Sequence, residues 1–192
     1  MMPPGQGPGA ERQDQLTSAS RHDIRGQQDL LELLTDFYGR TFTDDILRPV
    51  FIDVAKMDLG THLPIICTFW QTLLFHTGQY RRNALHPHLL LHAKVELAPA
   101  HFDRWVALWC DTVDDRHAGA KADLAKLQAT RIAYSMCRRI TGRSSAKLEQ
   151  AVRSSPIGST ARKLDPNRTT AGTPQRGSRK LTALWRSERS DH

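Results

Sequence analysis

Through the middle of the chain, apolar residues recur at intervals of three and four with almost no strict alternation, so the pattern predicts helices. Leu31, Leu34 and Tyr38 share a face over residues 28–41. Thr43, Asp44 and Asp45 then offer side-chain oxygens of the kind that cap a helix start. A short apolar helix follows with Ile46, Leu47, Val50, Phe51 and Val54, in which Pro49 is tolerable only near the first turn. Over residues 60–76, His62, Ile66, Phe69 and Leu73 form a stripe flanked by Trp70, and Gly78 is the expected stop. Residues 84–92 form a short helix opening near Pro87. Residues 98–116 align Phe102, Trp105, Leu108, Trp109 and Thr112, and residues 120–140 align Ala122, Ala125, Ala129, Ile132, Met136 and Ile140 before Gly142. The reading is all-α, with four substantial helices and two short ones.

Composition divides the 192 residues into three parts. Residues 1–27 are rich in Gly, Pro, Gln and Ser, and residues 143–192 in Arg, Ser, Thr, Pro and Gly. Both are expected to be disordered tails around one domain, residues 28–142. The net charge of +7 divides the same way: residues 143–192 hold 11 Lys and Arg against 4 Asp and Glu, while residues 1–142 hold 16 of each sign. The basic character therefore belongs to the C-terminal tail, which weakens any case for a nucleic-acid-binding core. Three widely spaced cysteines without a CxxC, no signal-like start and no apolar run of membrane length point to a cytoplasmic protein.

The candidate chemistry lies in Tyr38, Trp105 and the histidines at 86, 88 and 92. A helix as short as 84–92 is marginal alone, so something must fix it, and a metal bond would do so. His76, His101 and His117 fall at helix ends, where solvated histidines are common. His88 and His92 are four apart and share a face, the spacing of a zinc pair. Zinc needs further ligands, and Glu96 is the nearest carboxylate. The other reading is one axial histidine and a flat apolar cofactor, haem, held in a slot of Leu85, Leu89, Phe69, Trp70, Val106 and Trp109. His88 suits the ligand role because its second ring nitrogen can donate to a carbonyl about one turn back.

These residues carry a resemblance to a known family. Phe37-Tyr38, Leu47 through Phe51, His62-Leu63-Pro64, Phe69-Trp70, Tyr80 through Asn83, His88, His92, His101-Phe102 and Trp105 stand in an order that resembles the group III truncated haemoglobins over residues 28–141. The resemblance implies a two-over-two helical sandwich binding haem b. It implies His88 as the proximal iron ligand, Tyr38 and Trp105 as distal hydrogen-bond donors and His62 as a distal gate. Phe69 and Trp70 match a pair typical of the group, and with His92 and Trp109 they complete the expected cofactor surroundings. Arg82 departs from the family, which often has Gly before the residue matching Asn83.

Two donors facing a diatomic ligand (O2, NO or CO) would slow its release, since a hydrogen bond to a charged group contributes roughly 1.5–3 kcal/mol. The resemblance thus implies NO dioxygenase-like or peroxidase-like chemistry, or sensing, with electrons from an unidentified reductase, rather than oxygen delivery. The rival reading is a cofactor-free helical interaction module whose basic tail binds nucleic acid or an acidic surface. Leu181, Leu184 and Trp185 among arginines give that tail an amphipathic segment.

Overall fold

The computed structural model describes residues 21–155. Six α-helices and one π-helical turn appear there: α1 (Gln27–Thr41), the π turn (Pro49–Val54), α2 (Leu59–Phe75), α3 (Leu85–His92), α4 (Pro99–Arg116), α5 (Ala120–Thr141) and α6 (Ala146–Ser154). α1 packs on α2 and α4 on α5, and the two pairs meet through α1–α4 and α2–α5. This is the expected two-over-two sandwich. No helix among the described residues is long and apolar enough to cross a membrane.

Local chemistry explains most of the boundaries. Asp44 Oδ1 accepts from Ile46 N and Leu47 N at 3.1 and 3.0 Å, the cap expected from the acidic pair. Asp58 caps α2 by accepting from Gly60 N and Thr61 N, each at 3.2 Å. Pro49 sits in the first turn of the π helix, where its missing N–H costs nothing. Ala55 N bonds to Val50 O at 2.9 Å, five residues back, so the expected short α-helix is a wider π turn.

One expectation along α2 is corrected, and its buried face is resolved. The helix stops at His76, in the left-handed region at φ 59°, before Gly78 is reached. The buried face is Cys67, Trp70 and Leu74, whereas Ile66, Phe69 and Leu73 are half-buried and His62 is exposed. An apolar helix this rich carries two adjacent stripes, and spacing alone does not say which one meets the core.

Order extends beyond the expected domain at both ends. Ile24 is buried, and the Asp23 carboxylate accepts from Lys121 N and Ala122 N, both at 2.9 Å, capping α5 from outside it. Burial opposes ionisation of Asp23, but these N–H donors outweigh it and hold its carboxyl below the usual value. At the other end α6 packs on α5 and buries Leu148. Ser145 Oγ accepts from Leu148 N and donates to Asp103 of α4. The expected disorder of residues 1–20 and 156–192 lies outside the described residues. His117 is buried rather than solvated, with Nδ1 donating to His22 O at 3.2 Å, so the segment before α1 covers it.

A Cβ at Gly119 (φ +141°) would lie 2.5 Å from Asp23 Cγ. We expect Gly119→Ala to destabilise the fold by about 1–3 kcal/mol through overpacking and backbone strain. Asp23→Ala should cost a similar amount by removing the cap. Denaturant unfolding measures both, and unchanged midpoints would show that the N-terminal segment is not tied to α5.

Candidate functional site

Phe37 of α1, fully buried, organises one wall. Its ring meets Tyr38, Trp105 and Trp109 edge-on, with centroids 5.0, 5.5 and 5.1 Å away. Trp109 is stacked between Trp70 at 4.3 Å and Trp105 at 6.0 Å, the planes within 9° and 2°. The three indoles form a ladder from α2 into α4. Each such contact adds about 0.5–1.5 kcal/mol beyond burial.

The ladder separates residues that sequence reasoning had grouped. Trp70 and Trp109 are 2% and 0% exposed, and Trp109 Nε1 donates to Ala125 O at 3.3 Å. Neither offers a face to a ligand; they set the position of the wall. Trp105 is half-buried at the end of the ladder, and Tyr38, which shares the Phe37 ring with it, retains 6% exposure. Burial pushes the Tyr38 phenol well above its ordinary value, with no hydrogen bond contributing, so it stays protonated and able to donate. Ile66, Phe69 and Leu73 of α2 are half-buried against the same apolar cluster, Leu85 and Leu91 of α3 and Val106 of α4 against a second one, and the Phe51 ring lies 6.2 Å from Tyr38. Phe51 and Trp105 both pack against the two apolar clusters into which the core divides, so they stand where those clusters meet.

His88 is half-buried on α3. Its Nδ1 lies 2.8 Å from Ala84 O. A carbonyl only accepts, so Nδ1 carries the proton and Nε2 presents a lone pair. Burial lowers the imidazole pKa, and the Ala84 bond opposes this in part. The ring is therefore neutral near pH 7, with fixed orientation and tautomer. Asn83 Oδ1 accepts from Leu85 N and His86 N at 2.9 and 3.3 Å and starts this helix.

The other two histidines stand apart. His92 Nδ1 accepts from Leu97 N at 3.0 Å, so its proton sits on Nε2 and no lone pair is free. The residue lines a cleft of about 270 Å³ with Glu96, Leu97 and Thr141, and it serves as a brace for the α3–α4 loop. His62 is exposed on the first turn of α2, with Nδ1 donating to Asp58 O at 3.0 Å. Among the described residues no cluster of three His, Cys, Asp or Glu forms.

Sequence reasoning missed Phe37 as the hub and the pairing of Asp44 with Arg104. Arg104 Nε donates to Asp44 Oδ2 at 2.7 Å, from the residue next to Trp105. The carboxylate that starts the segment after α1 therefore also holds α4 in place. Burial alone would raise the Asp44 pKa, but Arg104 and the Leu47 and Ile46 N–H groups outweigh it and keep the carboxyl below its ordinary value. The capping pattern was visible in sequence; a partner 60 positions away was not.

Among solved structures, the chain is similar to the crystal structure of group III truncated hemoglobin from Campylobacter jejuni. The TM-score is 0.55 at 20% identity, over 62% of this chain and 94% of that one. No protein-family model and no curated protein matches the chain. The fold is that of a truncated globin.

Asp44→Ala should cost about 1–3 kcal/mol, the sum of a lost cap and a partly screened charged hydrogen bond. Because the folded pKa lies below the unfolded one, this stabilisation is present above the unfolded value, about 3.9, and is lost as pH falls through the folded value. Unfolding followed at pH 7 and pH 3 checks this: the wild-type advantage over the variant should shrink in acid. An equal gap at both pH values would show that the charge contributes nothing.

Proposed function

Starting from the truncated-globin fold, we propose that the chain binds haem b through His88 Nε2 and holds diatomic ligands beside Tyr38 and Trp105. The observation that carries this reading is the Nδ1–Ala84 hydrogen bond, which leaves a neutral, oriented lone pair on a helix beside half-buried apolar side chains. The chemistry of the residues fits the group. A flat apolar macrocycle needs apolar walls, which Ile66, Phe69, Leu85 and Val106 offer, and a proximal imidazole whose other nitrogen is hydrogen-bonded. Haem would supply an iron centre able to bind dioxygen, nitric oxide or carbon monoxide.

The protein's own groups set what happens to such a ligand. Tyr38 O–H and Trp105 Nε1–H are donors, so a ligand that accumulates negative charge is held more tightly than one that stays apolar. Phe37 fixes both donors from behind, which removes much of the cost of orienting them. Slow release disfavours delivery and favours reaction with nitric oxide or peroxide, or sensing. His62, exposed in the first turn of α2 with Nδ1 bonded to Asp58 O, serves as the gate of this reading by breaking that one bond. Trp70 and Trp109 support the wall, and His92 steadies the loop after the ligand helix.

Absorption spectra of the protein expressed with ample haem, taken oxidised, reduced and with carbon monoxide, test the proposal. A Soret band that shifts on reduction and again with carbon monoxide is expected; a colourless protein would overturn it. Tyr38→Phe should raise the oxygen off-rate by roughly 10-fold or more, the loss of about 1.4 kcal/mol. An unchanged rate would remove Tyr38 from the ligand pocket. Because the folded His88 pKa is depressed, the stability due to its neutral burial is full above the unfolded value of about 6.5 and declines as pH falls below it. Haem transfer to an acceptor protein should accelerate over that range, whereas a rate independent of pH between about 7 and 5 would contradict the assignment.

A further inference from the structure

Between Asp58 and Glu96 the chain contains no carboxylate, while the remaining described residues carry 15 Lys and Arg against 15 Asp and Glu. The charge of the domain is therefore concentrated in Arg81, Arg82 and Lys94, in the loop entering α3 and the turn leaving it. All three are exposed, and none joins the ion pairs that occupy Arg40, Arg48, Arg104, Arg116, Lys126 and Arg153. Between them on α3, Leu89 and Leu90, about 100° and 200° round the helix from His88, are 40% and 55% exposed. An eight-residue helix is about 12 Å long, so the cations that flank it and the two leucines on it lie within the span of one ordinary interface.

We propose that this patch docks an acidic one-electron carrier protein on the outer face of the His88 helix, an inference that rests on the haem reading above. Charge complementarity selects the occupant. Residues 156–192 carry eight Lys and Arg against three Asp and Glu, so the chain's own C-terminal segment is repelled. A second copy would set like charges against each other. Two leucines on one short helix form too small an apolar face for a membrane-lying element. They suit the small apolar centre and charged rim of a transient electron-transfer contact. Such a partner would give up one electron, and a haem iron held by His88 would take it in passing from ferric to ferrous, with no bond or proton exchanged.

The test measures equilibrium binding of the full-length holoprotein to a small acidic [2Fe–2S] ferredoxin as probe, at about 20 mM and about 200 mM salt. Binding should be detectable at the lower salt and weaken roughly 10-fold or more at the higher. The double variant Arg81→Glu, Arg82→Glu should lose at least about 10-fold, and Leu90→Ser should weaken binding at both salt concentrations. Lys147→Glu, an exposed charge on α6, should change it less than about 2-fold. No binding at low salt, or an equal loss with Lys147→Glu, would overturn the proposal. So would phosphatidylserine vesicles that bind the wild type and lose the double variant while ferredoxin does not discriminate. The absorption spectrum of each sample reports haem separately, so a coloured protein that ignores ferredoxin sinks the docking surface alone.

Discussion

The parallel stacking of Trp70, Trp109 and Trp105, closed from the side by Phe37, joins the two helix pairs and decides what remains exposed between them. Trp70 comes from α2 and the other two from α4, and Phe37 comes from α1. Three of the four long helices are thus keyed to one aromatic unit. Rings of this size pack in few ways, so the unit also fixes which residues stand at its rim. Tyr38 follows Phe37 in the chain and Trp105 ends the ladder, so both donors are placed by the packing behind them. The Asp44–Arg104 pair holds the same stretch of α4 from the opposite direction.

α3 follows a different logic. It has no fully buried residue, and among the long helices it packs chiefly on α5. Its order comes from polar contacts: Asn83 at its start, His92 to Leu97 N at its end, and His88 to Ala84 O within it. A helix with so little buried surface is a poor contributor to stability, but it holds an imidazole at a defined angle. The depressed His88 pKa follows from the same placement, since the ring lies among apolar neighbours that solvate a charge poorly. Aromatic contact thus sets Tyr38 and Trp105, whereas hydrogen bonding sets His88.

Much of this was legible in the chain. Helix existence followed from periodicity, and the short helix stood out because its own apolar content could not account for it. Three things were hidden, each for a physical reason. On α2, two apolar stripes lie side by side, and spacing does not say that Cys67, Trp70 and Leu74 are buried while Ile66, Phe69 and Leu73 are half-buried. Trp109 and Trp105 are four residues apart and look equivalent in sequence, yet Trp109 is fully buried and Trp105 is not. His88 and His92 also share a spacing, and only the direction of a hydrogen bond, donated by one ring and accepted by the other, distinguishes them. Contacts next to the domain's ends were hidden because composition averages over a stretch, whereas Ile24, Asp23 and Leu148 act singly.

In the proposed haem site the imidazole at position 88, and no other, would ligate the iron. Replacing it in His88→Gly leaves a cavity of imidazole size, and free imidazole added to that variant tests the claim directly. The account predicts that the variant loses the ferrous carbon monoxide spectrum of the wild type and regains it when imidazole is supplied. A variant that keeps the wild-type spectrum without imidazole would place the ligand elsewhere and contradict it.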